Sequence, residues 1–303
     1  MSERSFHVQE AEVGARLDVF LARVLPASRG RVRALLSAGG VRVDGNAVDL
    51  GAKGRILALG QSVGLSEPTL TAARAPEPEP EAPLTVLARG SGWVAVDKPA
   101  GTPVHPLAPG ERGTLLNALA ARHPEVVGIG EAGLRSGVVH RLDVNTSGVL
   151  LFATEEPRWQ GLREAFRSHR VEKTYRALVH GRLEGGDSLV LPLAVVRHRP
   201  ARVGVVAMGD GRSRRTELAW KSLEVFADRT LVEVAPRTGF LHQIRASFAH
   251  LGHPLVGDVA YGAPEGEAQR HLLHAARVEV EDVVAASPDA ADFAAAVEAA
   301  HES

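Results

Sequence analysis

The chain has 303 residues and a formal net charge of −1. This length suits one large domain or two unequal ones. Because 45% of the residues are hydrophobic but only 4% are aromatic, we expect an aliphatic core. It has no cysteine, which excludes disulfides, thiolate nucleophiles and zinc sites built on sulfur. No apolar run reaches the roughly 20 residues of a membrane span, and the N-terminus lacks the apolar core of a signal peptide, so we expect a cytoplasmic protein that binds no membrane.

The acidic residues are concentrated in two segments. Residues 66–84 carry four acidic residues and one basic residue, and residues 280–303 carry six acidic residues and no Lys or Arg. The rest of the chain is therefore basic, which favours attraction to nucleic acid. A mixture of charges that only keeps the protein soluble is the alternative.

The five prolines of residues 66–84 forbid a helix interior or a central strand, so we expect an extended Pro/Glu-rich linker there. This linker separates a small domain at residues 1–65 from a larger one at residues 85–280. Residues 281–303 form an acidic, Ala-rich tail, for which a short helix and disorder are both open.

The N-terminal part reads as two helices followed by a hairpin. Apolar residues at positions 17, 20, 21, 24 and 25 repeat with helical spacing, and Pro26 ends that helix. Ser28 is the expected N-cap of a second helix. The stretch VRVDGNAV then alternates as strand, turn and strand, with Asp44 and Gly45 at the corner.

The stretches ARLDVFLARVLPASRGRVRALLSAGGVRVDGNAV and, more weakly, LGQSVGL resemble the small RNA-binding domain first known from a ribosomal small-subunit protein, the S-four-like fold. Gln61 and Ser62 stand where such a domain usually has an acidic residue. Three arginines at the start of the second helix are candidates for phosphate contacts, with a solvated helix face as the alternative: Arg29, Arg31 and Arg33.

The larger part mixes strands and helices. WVAVDKP, GVLLFAT, EKTYRALVHG and TLVEVAP are predicted strands, whereas TLLNALAARH and the residues after FLHQIR begin helices. Strands outnumber helices without strict alternation, which predicts an α+β fold with a mixed, largely antiparallel β-sheet. No Walker-type loop and no GxGxxG is present, which argues against nucleotide-dependent catalysis and a Rossmann cofactor.

Three polar clusters stand out in this part. HRLDVNTSG, with Asp143, lies between two apolar runs, as active-site loops on rigid scaffolds often do. The alternative is a turn in which Asp143 or Asn145 bonds its own backbone. EKTYRA contains Tyr175, whose ordinary interpretation is packing within a strand. TGFLHQIR contains Arg245, whose ordinary interpretation is an exposed surface arginine.

In this order, the three clusters resemble the RluA-type family of pseudouridine synthases, whose pattern is HRLDxxTSG, EKxYxA and a TGRxHQIR-like segment. DKPAGTPVHP, LGHPLVGDVAYG and LLHAARV agree as well, so the resemblance covers nearly all of residues 84–280. It implies an enzyme that isomerises uridine to pseudouridine in RNA with no cofactor or metal, and it makes residues 85–280 the catalytic domain.

The resemblance also implies the roles of three residues. Asp143 is the expected catalytic carboxylate, acting at the ribose of the target uridine as a nucleophile or as a base, since a carboxylate can stabilise an oxocarbenium-like species. Arg245 is expected to pair with Asp143 and keep it ionised. Tyr175 is expected to pack against the flipped base and to assist the final proton transfer from carbon.

Arg141 is a candidate to fill the space left by the extruded uridine, an extrusion that costs about a few kcal/mol. Further members of the expected RNA- and base-contacting set lie in the same motifs: His140, Thr146, His242 and Gln243. His140 and Thr146 are expected mainly to shape the loop. The chain departs from the family pattern at Phe240, where arginine or lysine is usual, and at Val144, where a larger or basic residue is common.

The pairs His250/His253 and His271/His274 have a spacing that suits a metal, but no acidic third ligand lies nearby in sequence, so we expect ordinary helix and loop histidines. Residues 197–221 hold seven basic and two acidic residues. They predict a hairpin or arm that grips an RNA backbone, with an exposed loop as the alternative.

Three functions stay open at this point. The first is a monomeric synthase acting on structured RNA, above all large-subunit ribosomal RNA because related enzymes with this N-terminal domain usually act there, with transfer RNA as the second substrate. The second is a non-catalytic RNA-binding or ribosome-assembly factor. The third is a hydrolase that cuts the glycosidic bond and releases free uracil.

Overall fold

The computed structural model describes residues 3–25, 29–37, 39–66, 75–131 and 133–302, and contacts divide the chain into two units. The first unit comprises the described residues up to Ala82 together with His105–Val138 and Thr154–Glu156. The second comprises Pro83–Val104, Val139–Ala153 and the residues from Pro157 onward. The domain boundaries expected near residues 65, 84 and 280 stay predictions.

The N-terminal part of the first unit has two helices and a four-stranded antiparallel sheet in the order β1-β4-β2-β3. Its elements are β1 (Glu3–His7), α1 (Leu17–Val24), α2 (Arg29–Ser37), β2 (Val41–Val43), β3 (Asn46–Val48) and β4 (Ser62–Ser66). Leu17, Phe20 and Leu21 of the predicted stripe are buried and share one core with Val41 and Val63, while Val24 and Leu25 are partly buried against it. The two predicted helices and the hairpin are therefore confirmed.

The hairpin between β2 and β3 turns at Asp44 and Gly45, both with positive φ (52° and 78°), as a type I′ turn requires. The Asp44 carboxylate accepts hydrogen bonds from the Ser62 N–H (2.9 Å) and from Gln61 Nε2 (2.7 Å). These bonds, that from Ser62 first, hold the pKa of Asp44 below its usual value. Gln61 and Ser62, which replace the usual acidic residue, thus serve as donors to the turn.

The rest of the first unit holds α3 (Leu115–Arg122), which begins with a capping box between Thr114 and Asn117. Residues 75–82 form no helix or strand, as their prolines predict. Glu79 in that segment accepts a hydrogen bond from the Gly113 N–H (2.7 Å). Residues 67–74 of the predicted linker and the predicted N-cap Ser28 lie outside the described residues.

The second unit is built on one large sheet. Its elements are β5 (Thr85–Gly90), β6 (Trp93–Lys98), β7 (Ser147–Ala153), α4 (Glu156–Arg167), β8 (Glu172–His180), β9 (Gly186–His198), β10 (Ala201–Val205), β11 (Arg214–Val225), β12 (Arg229–Pro236), α5 (Gln243–His250), β13 (Leu273–Val280), β14 (Val283–Ala286) and α6 (Ala291–His301). The ten strands follow the order β10-β9-β11-β12-β8-β13-β7-β6-β5, with β14 paired to β13. Only β7 and β13 run parallel among the described pairs, which confirms the predicted α+β fold. None of the described helices has the length and apolar character that a membrane crossing requires.

The C-terminal residues, for which the sequence left a short helix or disorder open, form strand β14 and helix α6. Phe293 is fully buried in a cluster with Leu178 and Leu272. Asp292 pairs with the buried Arg270 through two hydrogen bonds of 2.6 and 2.9 Å. Asp292 of this acidic segment therefore neutralises a buried cation that precedes β13.

Candidate active site

Asp143 lies in the loop that leads into β7, and the backbone of this loop is fixed from the side of β6. Lys98 is fully buried, and its Nζ donates to the carbonyl oxygens of Pro99 (2.9 Å), Thr102 (2.8 Å) and Val144 (2.7 Å). Burial, followed by the charge of Arg270, lowers the pKa of Lys98 to about 7. Three carbonyl acceptors nevertheless match the three N–H groups of an ammonium, and we therefore assign the charged form.

The same loop is held to β13 from the other side. Gly148 pairs with Ala275 at φ +113°, and a Cβ at this position would lie 2.2 Å from the Ala275 carbonyl oxygen. Only glycine permits this approach. Thr146 Oγ1 lies 2.9 Å from His271 Nε2, so the Thr-Ser-Gly part of the motif is held against β13.

Asp143 faces an arginine that a second carboxylate holds in place. Arg245 Nη1 lies 3.2 Å from Asp143 Oδ2, while Arg245 Nε and Nη2 each lie 2.7 Å from an oxygen of Asp258. The side chains of Arg245 and Asp258 are 10% and 1% exposed, whereas that of Asp143 is 25% exposed. Asp143 Oδ1 accepts no hydrogen bond from the residues that the structure describes, so among them one carboxylate oxygen has no donor.

The charge of Arg245 is maintained by these carboxylates. Burial by itself lowers the pKa of Arg245, but the hydrogen bonds and charge of Asp258, and then of Asp143, outweigh it and raise the pKa. The Arg245 guanidinium carbon also lies 4.9 Å from the ring centre of Tyr261, a cation–π contact. Arg245 is thus a buried, permanently charged group, and its interpretation as a surface arginine is wrong.

Tyr175 lies in β8, paired with Val234 of β12 and Ala275 of β13. It packs against the apolar cluster that includes Ile244 and Leu273. Burial, and second the negative charge of Asp143, raise the pKa of Tyr175. Its side chain is therefore a neutral phenol in the electrostatic range of Asp143.

His242 precedes α5 in the left-handed conformation (φ 50°). Its Nδ1 lies 3.0 Å from the Tyr261 hydroxyl, and its Nε2 lies 3.8 Å from Asp143 Oδ2. Burial lowers the pKa of His242, which favours its neutral form. The structure therefore brings together Asp143, Arg245 and His242 from segments about 100 residues apart in the chain.

Comparison with known proteins identifies relatives of this chain. The family model described as RNA pseudouridylate synthase matches residues 92–250, and the S4 domain model matches residues 15–53. An uncharacterized RNA pseudouridine synthase of Chloroflexus aurantiacus is 37% identical over 90% of this chain and 84% of its own length. The ribosomal large subunit pseudouridine synthase D of Xanthomonas campestris is 33% identical over 95% and 87% of the two chains.

The chain belongs to the RNA pseudouridylate synthase family. The solved structure of human RNA Pseudouridylate Synthase Domain Containing 1 is similar to it, with a TM-score of 0.58 and 25% identity over 72% of this chain and 90% of that one. Members of this family are isomerases that act on RNA, so the resemblance seen in the motifs is confirmed.

Three other motif residues of this synthase have internal partners. The His140 ring stacks on Phe166 at 4.5 Å, and its Nε2 accepts a hydrogen bond from the Leu151 N–H (3.0 Å). Burial, followed by the charges of Lys173 and Arg163, lowers the pKa of His140 to about 3. This geometry suits the loop-shaping role expected of His140. The contact of Thr146 with His271 suits the same role for Thr146.

Gln243 braces the turn before α5. Its Oε1 accepts from the Thr238 hydroxyl (2.9 Å) and the Phe240 N–H (3.2 Å), and its Nε2 donates to the Glu217 carbonyl (3.1 Å). The Gln243 amide therefore has protein partners on both sides, and its contact with RNA stays a prediction.

The arginines proposed to contact RNA differ in what the structure says of them. Arg141 and Arg33 are exposed, whereas the side chains of Arg29 and Arg31 lie outside the described residues. The basic stretch at 197–221 comprises the end of β9, strand β10 and the first part of β11, so it contains the predicted hairpin turn. The RNA contacts of all these residues stay predictions.

Three of the four paired histidines, His253, His271 and His274, have ordinary hydrogen-bond partners. His253 Nδ1 lies 2.7 Å from the His180 carbonyl oxygen, and His274 Nδ1 lies 3.0 Å from the Ser147 hydroxyl. Within the described part of the chain, no group of three or more acidic or histidine side chains could hold a metal ion. A reaction without metal or cofactor stays a prediction.

Lys98, Asp258 and Tyr261 lie in stretches that agree with the family pattern, but the sequence alone predicted no role for any of them. The usable signal was the combination of a charged or hydroxyl residue with flanking glycine or proline, as in DKPAG and GDVAYG. Such a pattern marks a tight turn, but it does not say which distant side chain the turn supports.

Proposed function

We propose that this enzyme converts uridine to pseudouridine in large-subunit ribosomal RNA with Asp143 as the catalytic carboxylate. The observation that carries this proposal is the unequal environment of the two Asp143 oxygens. Oδ2 faces Arg245 at 3.2 Å, whereas Oδ1 has no hydrogen-bond partner among the described residues, and the Asp143 side chain as a whole is 25% exposed. A carboxylate with one anchored and one open oxygen is held in place yet able to react.

The isomerisation requires the bond between C1′ and N1 to break and a bond between C1′ and C5 to form. The uracil leaves with the electron pair at N1, rotates, and attacks C1′ through C5; the proton then leaves C5, and N1 gains one. Asp143 Oδ1 acts either by bonding to C1′ or by removing a ribose proton, and both routes use the same open oxygen. The positive charge of Arg245 stabilises the carboxylate whenever it is ionised.

Tyr175 supports this chemistry as a packing surface. A phenol whose pKa is raised by burial is a weak base near neutral pH, so direct removal of the C5 proton is the less favoured of its two expected roles. Packing of the detached uracil against the ring retains the base while it rotates. Loss of the uracil to water would turn the enzyme into a hydrolase.

The test uses a strain that lacks the gene and receives the wild type or the Asp143→Ala variant. We expect the wild type to restore pseudouridine in ribosomal RNA and the variant to restore none. Asp282→Ala is the matched control, since this aspartate is 67% exposed and pairs with Arg158. Equal restoration by Asp143→Ala and wild type would instead favour the non-catalytic RNA-binding factor.

Two further measurements separate the remaining alternatives. Pseudouridine mapping of ribosomal and transfer RNA, with and without the gene, identifies the substrate; a signal that changes only in transfer RNA would overturn the ribosomal assignment. Release of free uracil during turnover would identify a glycosidic hydrolase.

The relatives named for the large ribosomal subunit support the substrate assignment, since they match this chain over most of its length.

A further inference from the structure

The side chain of Tyr261 connects an edge hairpin of the sheet to the catalytic carboxylate. Tyr261 is 7% exposed and ends a short 3-10 turn, Val259–Tyr261, which follows Asp258 directly. Arg245 lies 4.9 Å and Arg202 lies 5.7 Å from the centre of its ring, measured from the guanidinium carbons. The ring is therefore held by cation–π contacts with two different parts of the second unit.

The hydroxyl of Tyr261 has a fixed donor. The backbone N–H of Val203 in β10 donates to it at 2.9 Å, at the point where the pairing of β10 with β9 shifts register. A backbone N–H can only donate, so the hydroxyl oxygen must be the acceptor in this bond. The single proton of the hydroxyl is then available for another partner.

That partner is His242 Nδ1, which lies 3.0 Å from the hydroxyl. If the hydroxyl donates to Nδ1, this nitrogen carries no proton, and the neutral imidazole must carry its proton on Nε2. His242 Nε2 faces Asp143 Oδ2 at 3.8 Å. The hydrogen bonds thus run in one direction, from the Val203 N–H through the Tyr261 hydroxyl to His242.

We infer that Tyr261 is a positioning residue that fixes His242 in the Nε2–H tautomer and thereby directs an N–H group at the carboxylate of Asp143. This inference rests on the proposed catalytic role of Asp143. Both Arg245 and His242 then face Oδ2, which leaves Oδ1 as the reacting oxygen. The separation of 3.8 Å between His242 Nε2 and Asp143 Oδ2 is about 0.8 Å longer than a hydrogen bond, so this contact is electrostatic.

The tautomer is measured directly on the wild-type enzyme labelled with ¹⁵N at histidine. A long-range ¹H–¹⁵N spectrum distinguishes the protonated from the unprotonated ring nitrogen, and the signal of His242 is assigned by its loss in His242→Gln. We expect Nε2 protonated and Nδ1 unprotonated in the wild type. A proton on Nδ1 would overturn the inference, whether or not the enzyme is active.

The kinetic consequence is tested with Tyr261→Phe, which keeps the ring and deletes both hydroxyl hydrogen bonds. We expect the single-turnover rate constant to fall about tenfold, since supporting partners of a reactive group commonly contribute 10- to 100-fold, while RNA affinity stays within twofold of wild type. His242→Gln should show a similar loss, and the double variant should be no slower than the slower single variant.

The matched control is Thr230→Val, which also deletes a buried hydroxyl with two hydrogen bonds but lies in β12 away from Asp143. Its rate constant per folded molecule should equal that of the wild type. If Tyr261→Phe also keeps the wild-type rate constant, Tyr261 has only a structural role and the inference fails. An active Asp143→Ala enzyme would contradict the proposed function itself. That result would not change the outcome of the tautomer measurement, so the two failures can be distinguished.

Discussion

The turn at Asp258 and the loop at Asp143 both present a carboxylate to Arg245, yet they do so in opposite ways. Asp258 is 1% exposed and binds the guanidinium through two bonds of 2.7 Å, whereas Asp143 is 25% exposed and makes one contact of 3.2 Å. Arg245 therefore has one partner, Asp258, that binds it through both carboxylate oxygens and another, Asp143, that binds it through one. The difference indicates how a buried cation can orient a partly exposed carboxylate while only one of its two oxygens is bound.

The largest effect on stability is expected from Asp258→Asn. Removal of one member of a buried ion pair leaves the other charge uncompensated, so we expect the free energy of unfolding to fall by about 3–5 kcal/mol. Denaturant unfolding measures this value. Asp143→Asn, which changes the partly exposed partner, should lower the free energy of unfolding by less than about 1 kcal/mol. Equal losses of unfolding free energy in the two variants would show that the two carboxylates do not differ as described.

The next largest effect is expected on the rate with Arg245→Lys. Lysine keeps the charge but cannot bind Asp258 through two parallel bonds and Asp143 through a third. A displacement of about 1 Å at a reacting group can cost about 100-fold, so we expect a 10- to 100-fold slower single turnover. Arg277→Lys is the control, since Arg277 is about half exposed and its side chain bonds only Glu279 among the described residues. A wild-type rate for Arg245→Lys would show that charge alone is sufficient.

A smaller effect concerns the histidines that flank the Asp143 loop. Burial lowers the pKa of His140 to about 3 and, followed by the charge of Arg245, lowers that of His271 to about 2. In the folded state both rings stay neutral down to those values, whereas in the unfolded chain they gain protons below about pH 6.5. Proton uptake on unfolding then favours the unfolded state, so stability falls as the pH drops from about 6.5 toward 3.

Each of these histidines contributes at most about 1.4 kcal/mol per pH unit to this decline. His271→Gln retains a side-chain donor for Thr146 but does not titrate, and its unfolding free energy should therefore depend less steeply on pH. Unfolding curves recorded between pH 7 and 5 provide the comparison. An unchanged slope would mean that His271 gains its proton over the same pH range in the folded protein as in the unfolded chain.

The smallest effect is expected at Phe240, where the family usually has a basic residue. Phe240 packs on the cluster that contains Tyr261 and Ala246. Phe240→Arg adds one cation, so the slope of log affinity for RNA against log salt should steepen by about 0.7–0.9. Phe240→Gln removes the ring without adding charge and should leave that slope unchanged; a change in both variants would point to disturbed packing.

Much of the fold follows from local sequence pattern. The helix at Leu17, the type I′ hairpin at Asp44 and the strand that contains Tyr175 are set by residue spacing and turn chemistry within a few positions. The C-terminal strand and helix were not separable from disorder because their stability depends on distant partners. Phe293 needs the cluster around Leu178 before its helix is favourable.

The residues of the candidate site also differ in how far the sequence could predict them. The pairing of Arg245 with Asp143 could be predicted because both lie in motifs with a known order, whereas the catalytic roles of Asp143, Tyr175 and Arg245 stay predictions. The support from Asp258, Tyr261 and Lys98 could not be predicted, since each acts through a contact that no sequence spacing records, such as Lys98 Nζ on the Val144 carbonyl. The tautomer of His242 depends on a backbone N–H of β10, far from it in sequence.

The central claim is that the open oxygen of Asp143 performs the chemistry, and single-turnover pseudouridine formation by Asp143→Asn tests it most directly. Asparagine preserves the shape of the side chain and an acceptor for Arg245, but it removes the negative charge. We expect the rate constant to fall by more than about 1,000-fold, equivalent to about 4 kcal/mol of transition-state stabilisation, in a protein that remains folded and binds RNA. A folded variant whose rate stays within tenfold of wild type would contradict the account.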